Sequence, residues 1–296
     1  RNSAAKSSAS LKRLMGMSGL STCVFASLFR SSVAALADAM PGVPVKAGGR
    51  GTITIPASCA QSDAEQLKLR LHAIENPPAY DVSKEAFEVI VPKAYKADQP
   101  HGVFIWISAG NGPAIPKDWE SVLADKKILV AGARNSGNSR NIFDRMRMAI
   151  DVNAHLRSLY NIDGRRVYVS GFSGGSRVAS MLGVSYAEMF SGTICFMGVN
   201  FYTDVTGEDG KTYGLNYIPD DEVAGLARKF CRYALVTSEK DFNRPNTRAA
   251  FQHGFQKEGF AQVKLFEVPG IGHQPPSGEW LAKSIDYLDE GKRALK

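Results

Sequence analysis

A serine flanked by glycines is the residue best placed to do chemistry in this 296-residue sequence. Ser173 lies in the pentapeptide Gly-Phe-Ser-Gly-Gly at 171–175, directly after an apolar run and before a helical pattern. A strand that turns sharply into a helix projects a serine hydroxyl above the sheet edge, and glycines are needed where the two elements crowd together. The spacing therefore predicts Ser173 as the nucleophile of an acyl transfer, with an ordinary Gly/Ser turn as the alternative.

A serine hydroxyl is a poor nucleophile unless an imidazole accepts its proton, so the chemistry requires a histidine above the same sheet edge. The histidines are His72, His101, His155, His253 and His273. The first four lie within, or just before, predicted strands and helices. His273 lies in the Gly/Pro-rich loop 269–276, between the last predicted strand and the last predicted helix. We therefore expect His273 to be the general base.

A carboxylate must orient the histidine, and it should follow an earlier strand. Asp241 follows the predicted strand 233–237 and lies where the loop should turn back toward the histidine. Asp204, in the loop after the preceding strand, and Glu239 are the alternatives. The resulting order of serine, acid and histidine is that of the α/β-hydrolase fold, and it differs from the chymotrypsin and subtilisin orders.

The tetrahedral intermediate of an acyl transfer needs N–H donors for its oxygen anion. Gly174 is the first expected donor, because it opens the helix after the serine and the helix dipole adds to its N–H. The second donor should come from the loop after an earlier strand, which here is the Gly-rich stretch 108–113. Ala109 or Gly110 is expected to supply it, with an ordinary turn as the alternative.

The elements that must position these residues alternate between short apolar runs and helical patterns. Predicted strands cover residues 52–55, 67–74, 87–91, 103–107, 128–131, 167–170, 193–197, 233–237 and 263–268. Predicted helices cover residues 141–159, 176–187, 221–230, 246–258 and 278–288. The first three strands alternate like an antiparallel edge, whereas the later runs are apolar throughout, as strands buried on both faces are. The pattern predicts an α/β fold with a mostly parallel central sheet and helices on both faces.

Residues 1–39 are typical of an export signal, with five basic residues, one acid, an apolar run and small residues at the end. We predict a leader at 1–39, a Gly/Pro-rich linker at 40–50 and a single catalytic domain at 51–296 that is secreted or periplasmic. An organellar transit peptide is the alternative, because the leader is Ser-rich and acid-poor. The apolar run is short for a spanning helix, so no stable membrane insertion is expected after leader removal.

The charge and cysteine content exclude several classes of protein. The sequence contains 36 basic and 29 acidic residues, of which five basic residues and one acidic residue lie in the leader. Removal of the leader therefore lowers the net charge from +7 to +3. Without a basic cluster interleaved with aromatics, no nucleic-acid partner is expected. Beyond the leader, Cys59, Cys195 and Cys231 show no Cys-x-x-Cys spacing. No metal site is expected, and a disulfide between Cys195 and Cys231 stays open.

The sequence resembles the α/β-hydrolase superfamily and, within it, the secreted esterases grouped with polyhydroxybutyrate depolymerases and feruloyl esterases. The resemblance rests on residues 163–169 leading into 171–175, on Ser-Glu-Lys-Asp at 238–241 and on Gly-His at 272–273. It covers roughly residues 85–290. It implies an α/β-hydrolase fold with a serine–aspartate–histidine triad.

Two stretches bear on the substrate. Many esterases of this type carry His-Gly at the end of the third strand, where this chain has Ser-Ala at 108–109, so its oxyanion loop departs from that pattern. The stretch 200–230 is too short for a large cap domain. Its aromatic residues are Phe201, Tyr202, Tyr213 and Tyr217. These residues line an open pocket or serve as plain packing.

Together these features predict a serine hydrolase that cleaves carboxylic esters through an acyl-enzyme on Ser173, without metal or organic cofactor. Its substrate would be a small-molecule or polymer-attached ester. A serine peptidase or an acyltransferase would use the same triad and is the first alternative. An inactive exported binding module of the same fold is the second.

Overall fold

The computed structural model describes residues 44–293, and an eight-stranded sheet lies at its centre. In chain order the strands are β1 (Arg50–Ile53), β2 (Phe87–Ile90), β3 (His101–Ile107), β4 (Ile128–Ala133), β5 (Ile162–Phe172), β6 (Gly192–Phe196), β7 (Val205–Thr206), β8 (Thr212–Tyr213), β9 (Arg232–Ser238) and β10 (Val263–Val268). The sheet order is β1-β2-β4-β3-β5-β6-β9-β10, and β7 with β8 forms a separate small hairpin. The predicted mostly parallel sheet is confirmed.

Strand directions explain how distant residues meet. The pairs β1–β2 and β2–β4 are antiparallel, and every pairing from β4 through β3, β5, β6 and β9 to β10 is parallel. Parallel strands end at the same edge of a sheet, and ligands bind in α/β sheets outside those carboxyl ends. The loops after β3, β5, β9 and β10, which carry the predicted site residues, therefore lie at one edge.

Seven helices cover the sheet. They are α1 (Ala64–Leu71), α2 (Lys117–Asp125), α3 (Ile142–Leu159), α4 (Gly174–Ser185), α5 (Asp221–Phe230), α6 (Arg244–Ala249) and α7 (Gly278–Arg293). A π-helical turn (Ala250–Gln256) continues α6, and short 3-10 turns lie at Ala60–Ser62 and Val82–Lys84. Between β6 and β9 the chain adds the hairpin and α5, and no large cap domain is present there.

The main apolar core lies between one face of the sheet and helices α2 and α7. Phe104 and Trp106 of β3 point into it together with Trp119 of α2 and Leu281 of α7. The neighbouring residue Ile105 is equally buried. Since successive side chains of a strand point to opposite faces, the other face must also be covered, and α3 and α4 pack there. Burial on both faces explains why the central strands are continuous apolar runs.

The prediction of a strand at 67–74 is wrong, because residues 67–71 belong to helix α1 and His72 is its C-cap. The alternation of Leu67, Leu69 and Leu71 with basic residues imitates a half-buried strand. In the helix Leu67 and Leu71 share one buried face, four residues apart, and Leu69 is exposed. Asp63 caps the helix by accepting from the N–H of Glu65, so the capping residue was the signal that could have corrected the prediction.

Sequence analysis also missed helix α2, the hairpin and the early start of β5. Trp119 and Leu123, four residues apart, form the buried face of α2, and Trp119 Nε1 donates to the carbonyl of Pro276 at 2.8 Å. His101, predicted just before a strand, is the first residue of β3 and is buried. The thiols of Cys59, Cys195 and Cys231 are free and buried, so the open disulfide between Cys195 and Cys231 is not formed.

The predicted leader, residues 1–39, lies outside the described residues, as does the beginning of the linker. The division of the chain at 39 and 50 stays a prediction. Across residues 44–293 the structure contains no helix with both the length and the apolar character that crossing a membrane requires.

Candidate active site

Ser173 occupies a backbone conformation that few residues adopt. Its φ is 56° and its ψ is −117°, outside the left-handed helical region that a side chain tolerates best. The residue joins β5 to α4, and its N–H donates to the carbonyl of Phe196 in β6 at 2.8 Å. Strain of this kind persists where surrounding contacts enforce it and concentrates at functional sites.

The glycines around Ser173 fill positions where no Cβ fits. A Cβ on Gly171 would lie 2.3 Å from the carbonyl carbon of Gly175, and a Cβ on Gly175 would lie 1.9 Å from the carbonyl oxygen of Ile107. Strand β5, helix α4 and the end of β3 therefore approach one another through backbone alone. This is the crowding that the pentapeptide spacing predicts, and it presents Ser173 at the N-terminus of α4.

The structure brings the three predicted side chains into one hydrogen-bonded chain. His273 Nε2 lies 2.9 Å from Ser173 Oγ, and His273 Nδ1 lies 2.7 Å from Asp241 Oδ1. A carboxylate on Nδ1 favours the tautomer that leaves Nε2 free to accept the serine proton. His273 follows Asp241 by 32 positions and Ser173 by 100 positions in the sequence. The arrangement can therefore deprotonate Ser173 during nucleophilic attack.

Asp241 is fully enclosed and held by further donors. Its side chain has no exposed surface. Its Oδ2 accepts from Thr237 Oγ1 at 3.0 Å, and its Oδ1 accepts from the N–H of Asn243, also at 3.0 Å. The side chain of Asn243 in turn donates to the carbonyl of Met197 at 2.9 Å. Because a buried carboxylate without partners is costly, these bonds offset the cost of burial and fix the orientation in which Asp241 contacts the imidazole.

The rival acids lie elsewhere. Asp204 Oδ1 accepts from the N–H of Leu215 at 2.8 Å, within the exposed part of the loop before α5. Glu239 Oε2 accepts from the N–H of Gly270 at 2.9 Å and so supports the loop that carries the histidine. Neither carboxylate bonds to His273.

Two aromatic rings flank the His273 imidazole. The centroid of Phe242 lies 4.0 Å away and that of Phe172 lies 4.9 Å away, at interplanar angles of 33° and 42°. Phe172 is half-buried, whereas Phe242 is 71% exposed. The two rings restrict rotation of the imidazole, and the exposed ring leaves an apolar surface at the rim of the site.

The loop after β3 begins against Gly175, where a Cβ would lie 3.0 Å from the carbonyl carbon of Ser108. The carbonyl of Ala109 accepts from the N–H of Asn138 at 2.9 Å, and the N–H of Gly110 donates to Ser108 Oγ at 3.1 Å. The N–H groups of Ala109 and Gly174 have no hydrogen-bond partner within residues 44–293. Of the two candidate donors in this loop, Ala109 is thus the one whose N–H is free to bind an oxygen.

Sequence analysis missed Asn138, which lies in the loop after β4. Its side-chain oxygen would be 2.0 Å from a Cβ on Gly174, so the amide covers the position beside the first predicted oxyanion donor. Its side chain is exposed. Nothing in the stretch Asn-Ser-Gly-Asn at 135–138 distinguishes it from an ordinary turn, because its closeness to Ser173 arises from the sheet order.

Arg145 of α3 was missed as well. It is 5% exposed, and its Nε donates to the carbonyl of Ser136 at 2.7 Å while its Nη2 donates to the carbonyl of Ser108 at 3.0 Å. Burial lowers the pKa of the guanidinium to about 10. One buried side chain therefore ties the loop after β3 to the loop after β4, both of which border Ser173.

The aromatic residues before α5 have two roles, because some pack in the interior and some line a pocket. Phe201 and Tyr217 are buried, and the ring centroids of Phe201 and Phe255 lie 4.7 Å apart. Phe201 and Tyr213 also line a pocket of about 130 Å³ close to the site, whereas Tyr202 and Tyr217 do not line it. Within the described part of the chain, no group of three or more His, Cys, Asp or Glu side chains could hold a metal ion.

No protein-family model matches this sequence, and no curated protein matches it. Solved structures do match its fold. Est1E from Butyrivibrio proteoclasticus aligns with a TM-score of 0.50 and 15% identity, over 72% of this chain and 97% of that one. A ferulic acid esterase aligns with a TM-score of 0.51 and 14% identity, over 72% of this chain and 93% of that one.

A structure described as a dipeptidyl aminopeptidase IV from Bacteroides ovatus aligns with a TM-score of 0.52 and 14% identity, over 82% of this chain. This chain spans 36% of that longer protein. At such identities the matches establish the fold, which is the α/β-hydrolase fold, and the same fold serves unrelated activities. The activity must therefore be argued from the site itself.

Proposed function

We propose that this protein is a serine hydrolase that cleaves carboxylic esters through an acyl-enzyme on Ser173. The observation that carries the proposal is the continuous contact from Asp241 through His273 to Ser173, with the serine strained at the N-terminus of α4. A buried carboxylate, an imidazole and a serine in this order form the arrangement that activates a hydroxyl for acyl transfer.

In the first step Ser173 Oγ attacks the ester carbonyl carbon while His273 Nε2 accepts the hydroxyl proton. The imidazolium that forms is stabilised by Asp241, and it returns the proton to the departing alcohol as the acyl-enzyme forms. In the second step a water molecule attacks the acyl-enzyme, His273 accepts its proton, and Ser173 regains its own as the acid is released. Neither step requires a metal or an organic cofactor.

The oxygen anion of each tetrahedral intermediate would bind the N–H groups of Gly174 and Ala109. Neither N–H group has a partner in the described chain, and Arg145 holds the loop of Ala109 through the carbonyl of Ser108. One such donor contributes roughly 3–4 kcal/mol to transition-state stabilisation in enzymes where it has been removed. Gly110 is the weaker candidate because its N–H donates to Ser108 Oγ.

The segment between β6 and β9 contains only a small hairpin and α5, without a large cap domain. An open site of this kind would suit a bulky or polymer-attached ester better than a buried lipid chain. A peptidase with the same triad is the second candidate, supported by the fold match to the dipeptidyl aminopeptidase IV structure. An acyltransferase, in which an alcohol replaces water in the second step, and an inactive binding module are further alternatives.

The test is hydrolysis of p-nitrophenyl acetate and butyrate by the wild-type chain, Ser173→Ala and the control Ser121→Ala, whose serine is exposed on α2. We expect kcat/KM to fall roughly 10⁴-fold or more in Ser173→Ala and to stay unchanged in Ser121→Ala. A fluorophosphonate label should be found on Ser173 by mass spectrometry.

Peptide p-nitroanilides separate the candidates. Turnover of the esters without turnover of the anilides supports the esterase, and the reverse preference supports the peptidase. If the folded wild-type chain neither hydrolyses an ester nor takes the label, the proposal is wrong and the binding module becomes the better account.

A further inference from the structure

The pocket of about 130 Å³ beside the site contains one charged side chain, Arg177 of α4. The remaining lining residues are apolar or neutral, among them Phe201, Thr203, Tyr213 and Asn246. None of its lining residues carries a carboxylate. A pocket whose only charge is a guanidinium is complementary to an anionic group.

Arg177 is half-buried and bonded only to neutral oxygens. Its Nη1 donates to the carbonyl of Val199 and to Oδ1 of Asn200, and its Nη2 donates to Oδ1 of Asn243, each at 3.1 Å. Within the described residues it forms no ion pair. Burial lowers the pKa of this guanidinium, and the nearby Tyr213 and Asp241 act in the opposite direction without bonding to it. The five N–H groups of an arginine leave donors available for a ligand.

Asn246 supplies a second and independent observation. It lines the same pocket, it is 4% exposed, and its Oδ1 has no hydrogen-bond partner in the described chain. Buried polar side chains are nearly always hydrogen-bonded, and the unpartnered Oδ1 is an acceptor that as placed calls for a donor. Rotation of the amide about its last bond would present its NH₂ group to the same space.

The pocket adjoins the elements that hold the triad, at Gly198 and at Asn243. Gly198, which precedes the pocket residue Val199, packs so closely on Ser173 that a Cβ there would lie 2.7 Å from the Ser173 carbonyl oxygen. Asn243 stands between the pocket and the triad, since its side chain accepts from Arg177 and its N–H donates to Asp241. Two residues therefore join the pocket wall to the triad: Gly198 next to Val199, and Asn243 between Arg177 and Asp241.

We propose that this pocket, lined by Arg177 and Asn246, binds a carboxylate of the substrate, so that the enzyme prefers esters carrying a free carboxylate over neutral esters. This inference rests on the proposed function and names the substrate class of that site. The carboxylate accepts from Arg177 and from the NH₂ group of the rotated Asn246 amide. A cavity of about 150 Å³ takes one benzene ring, so this smaller pocket suits a carboxylate with a few carbons rather than a long chain.

The test measures binding without turnover, in the full chain carrying Ser173→Ala. Isothermal titration calorimetry compares monomethyl succinate, glutarate and adipate with the corresponding dimethyl esters. Because a hydrogen bond to a charged group contributes about 1.5–3 kcal/mol, at least one monoester should bind about tenfold tighter than its diester, or more. Equal affinities of monoester and diester throughout the series would overturn the proposal.

A matched pair of variants tests the location of the site. Thr203→Glu adds a carboxylate to the pocket wall and leaves Arg177 and its bonds in place, and Thr203→Gln is the neutral control of the same shape. The monoester preference should disappear in Thr203→Glu and persist in Thr203→Gln. Persistence in both variants, with folding confirmed by circular dichroism, would show that the carboxylate binds elsewhere and would sink the proposal.

Arg177→Met is the direct test. Loss of the monoester preference supports the proposal, whereas equal weakening of monoester and diester means that Arg177 acts only through Asn243 on the triad and overturns it. The calorimetry does not depend on hydrolysis. Failure of the proposed esterase activity would appear with p-nitrophenyl butyrate, and failure of this proposal would appear in binding, so the two are distinguishable.

Discussion

Asp241 is the residue on which the geometry of the candidate site depends most. Its two carboxylate oxygens accept from Thr237, from the N–H of Asn243 and from His273. The histidine is thereby bonded at Nδ1 and keeps Nε2 toward Ser173. An amide at position 241 would preserve the shape but could present an NH₂ group to Nδ1, and this would favour the tautomer that cannot accept the serine proton.

We therefore expect Asp241→Asn to lower kcat for p-nitrophenyl butyrate by roughly 10³–10⁴-fold with little change in KM. Asp204→Asn is the matched control, because that carboxylate bonds to the N–H of Leu215 and not to the imidazole. The control should retain kcat within about threefold. Steady-state kinetics of both variants decides the assignment, and loss of activity in Asp204→Asn alone would transfer the acid role to Asp204.

At the scale of elements, the site depends on three backbones meeting at Gly175. The turn from β5 into α4 passes against the end of β3, and the Cβ position of Gly175 lies 1.9 Å from a carbonyl oxygen of that strand. A backbone atom cannot rotate away as the end of a flexible side chain can. Any side chain at 175 must separate α4 from β3, and with them Ser173 from the oxyanion loop.

Gly175→Ala is expected to lower the free energy of unfolding by about 3 kcal/mol and to abolish ester hydrolysis. Gly225→Ala in α5 is the control, since no atom lies within 4 Å of its Cβ position. The control should be more stable than the wild type by about 0.5–1 kcal/mol, because alanine favours a helix over glycine. Urea denaturation measures both, and an unchanged stability of Gly175→Ala would refute the crowding argument.

For the whole molecule, the folded state contains a buried histidine that the site does not use. His155 of α3 is fully buried, and neither ring nitrogen has a hydrogen-bond partner within residues 44–293. Burial lowers the pKa of His155 below its ordinary value of 6.5. Below that pH the unfolded chain binds a proton that the folded chain excludes, so folding becomes less favourable as the pH falls.

The wild type should therefore lose stability relative to His155→Leu as the pH is lowered from about 7 to about 5, by at most about 1.4 kcal/mol per pH unit. Urea denaturation at several pH values measures the difference between the two chains, in which the titration of shared carboxylates cancels. His253→Gln, which changes an exposed histidine, should track the wild type. A pH-independent difference between wild type and His155→Leu would contradict the argument.

The overall fold and the position of the site residues follow largely from patterns in the sequence. The pentapeptide around Ser173, the loop of His273 and the acid after β9 are local patterns, and the order of strands and helices follows from apolar periodicity. The parallel sheet then requires these loops to share one edge. The fold class and the meeting of Ser173, Asp241 and His273 were therefore predictable, whereas the export signal at 1–39 stays a prediction.

Tertiary structure decided the rest, because the deciding contacts join segments that are distant along the chain and have no local signature. Leu67, Leu69 and Leu71 fit a strand or a helix equally well until packing buries two of them and exposes the third. Asn138 approaches Gly174, and Arg145 bonds the loops after β3 and β4, only because β3 lies between β4 and β5 in the sheet. The charge of Arg177 indicates an anion site only because the other residues that line its pocket are neutral, and no spacing in the sequence predicts that pocket.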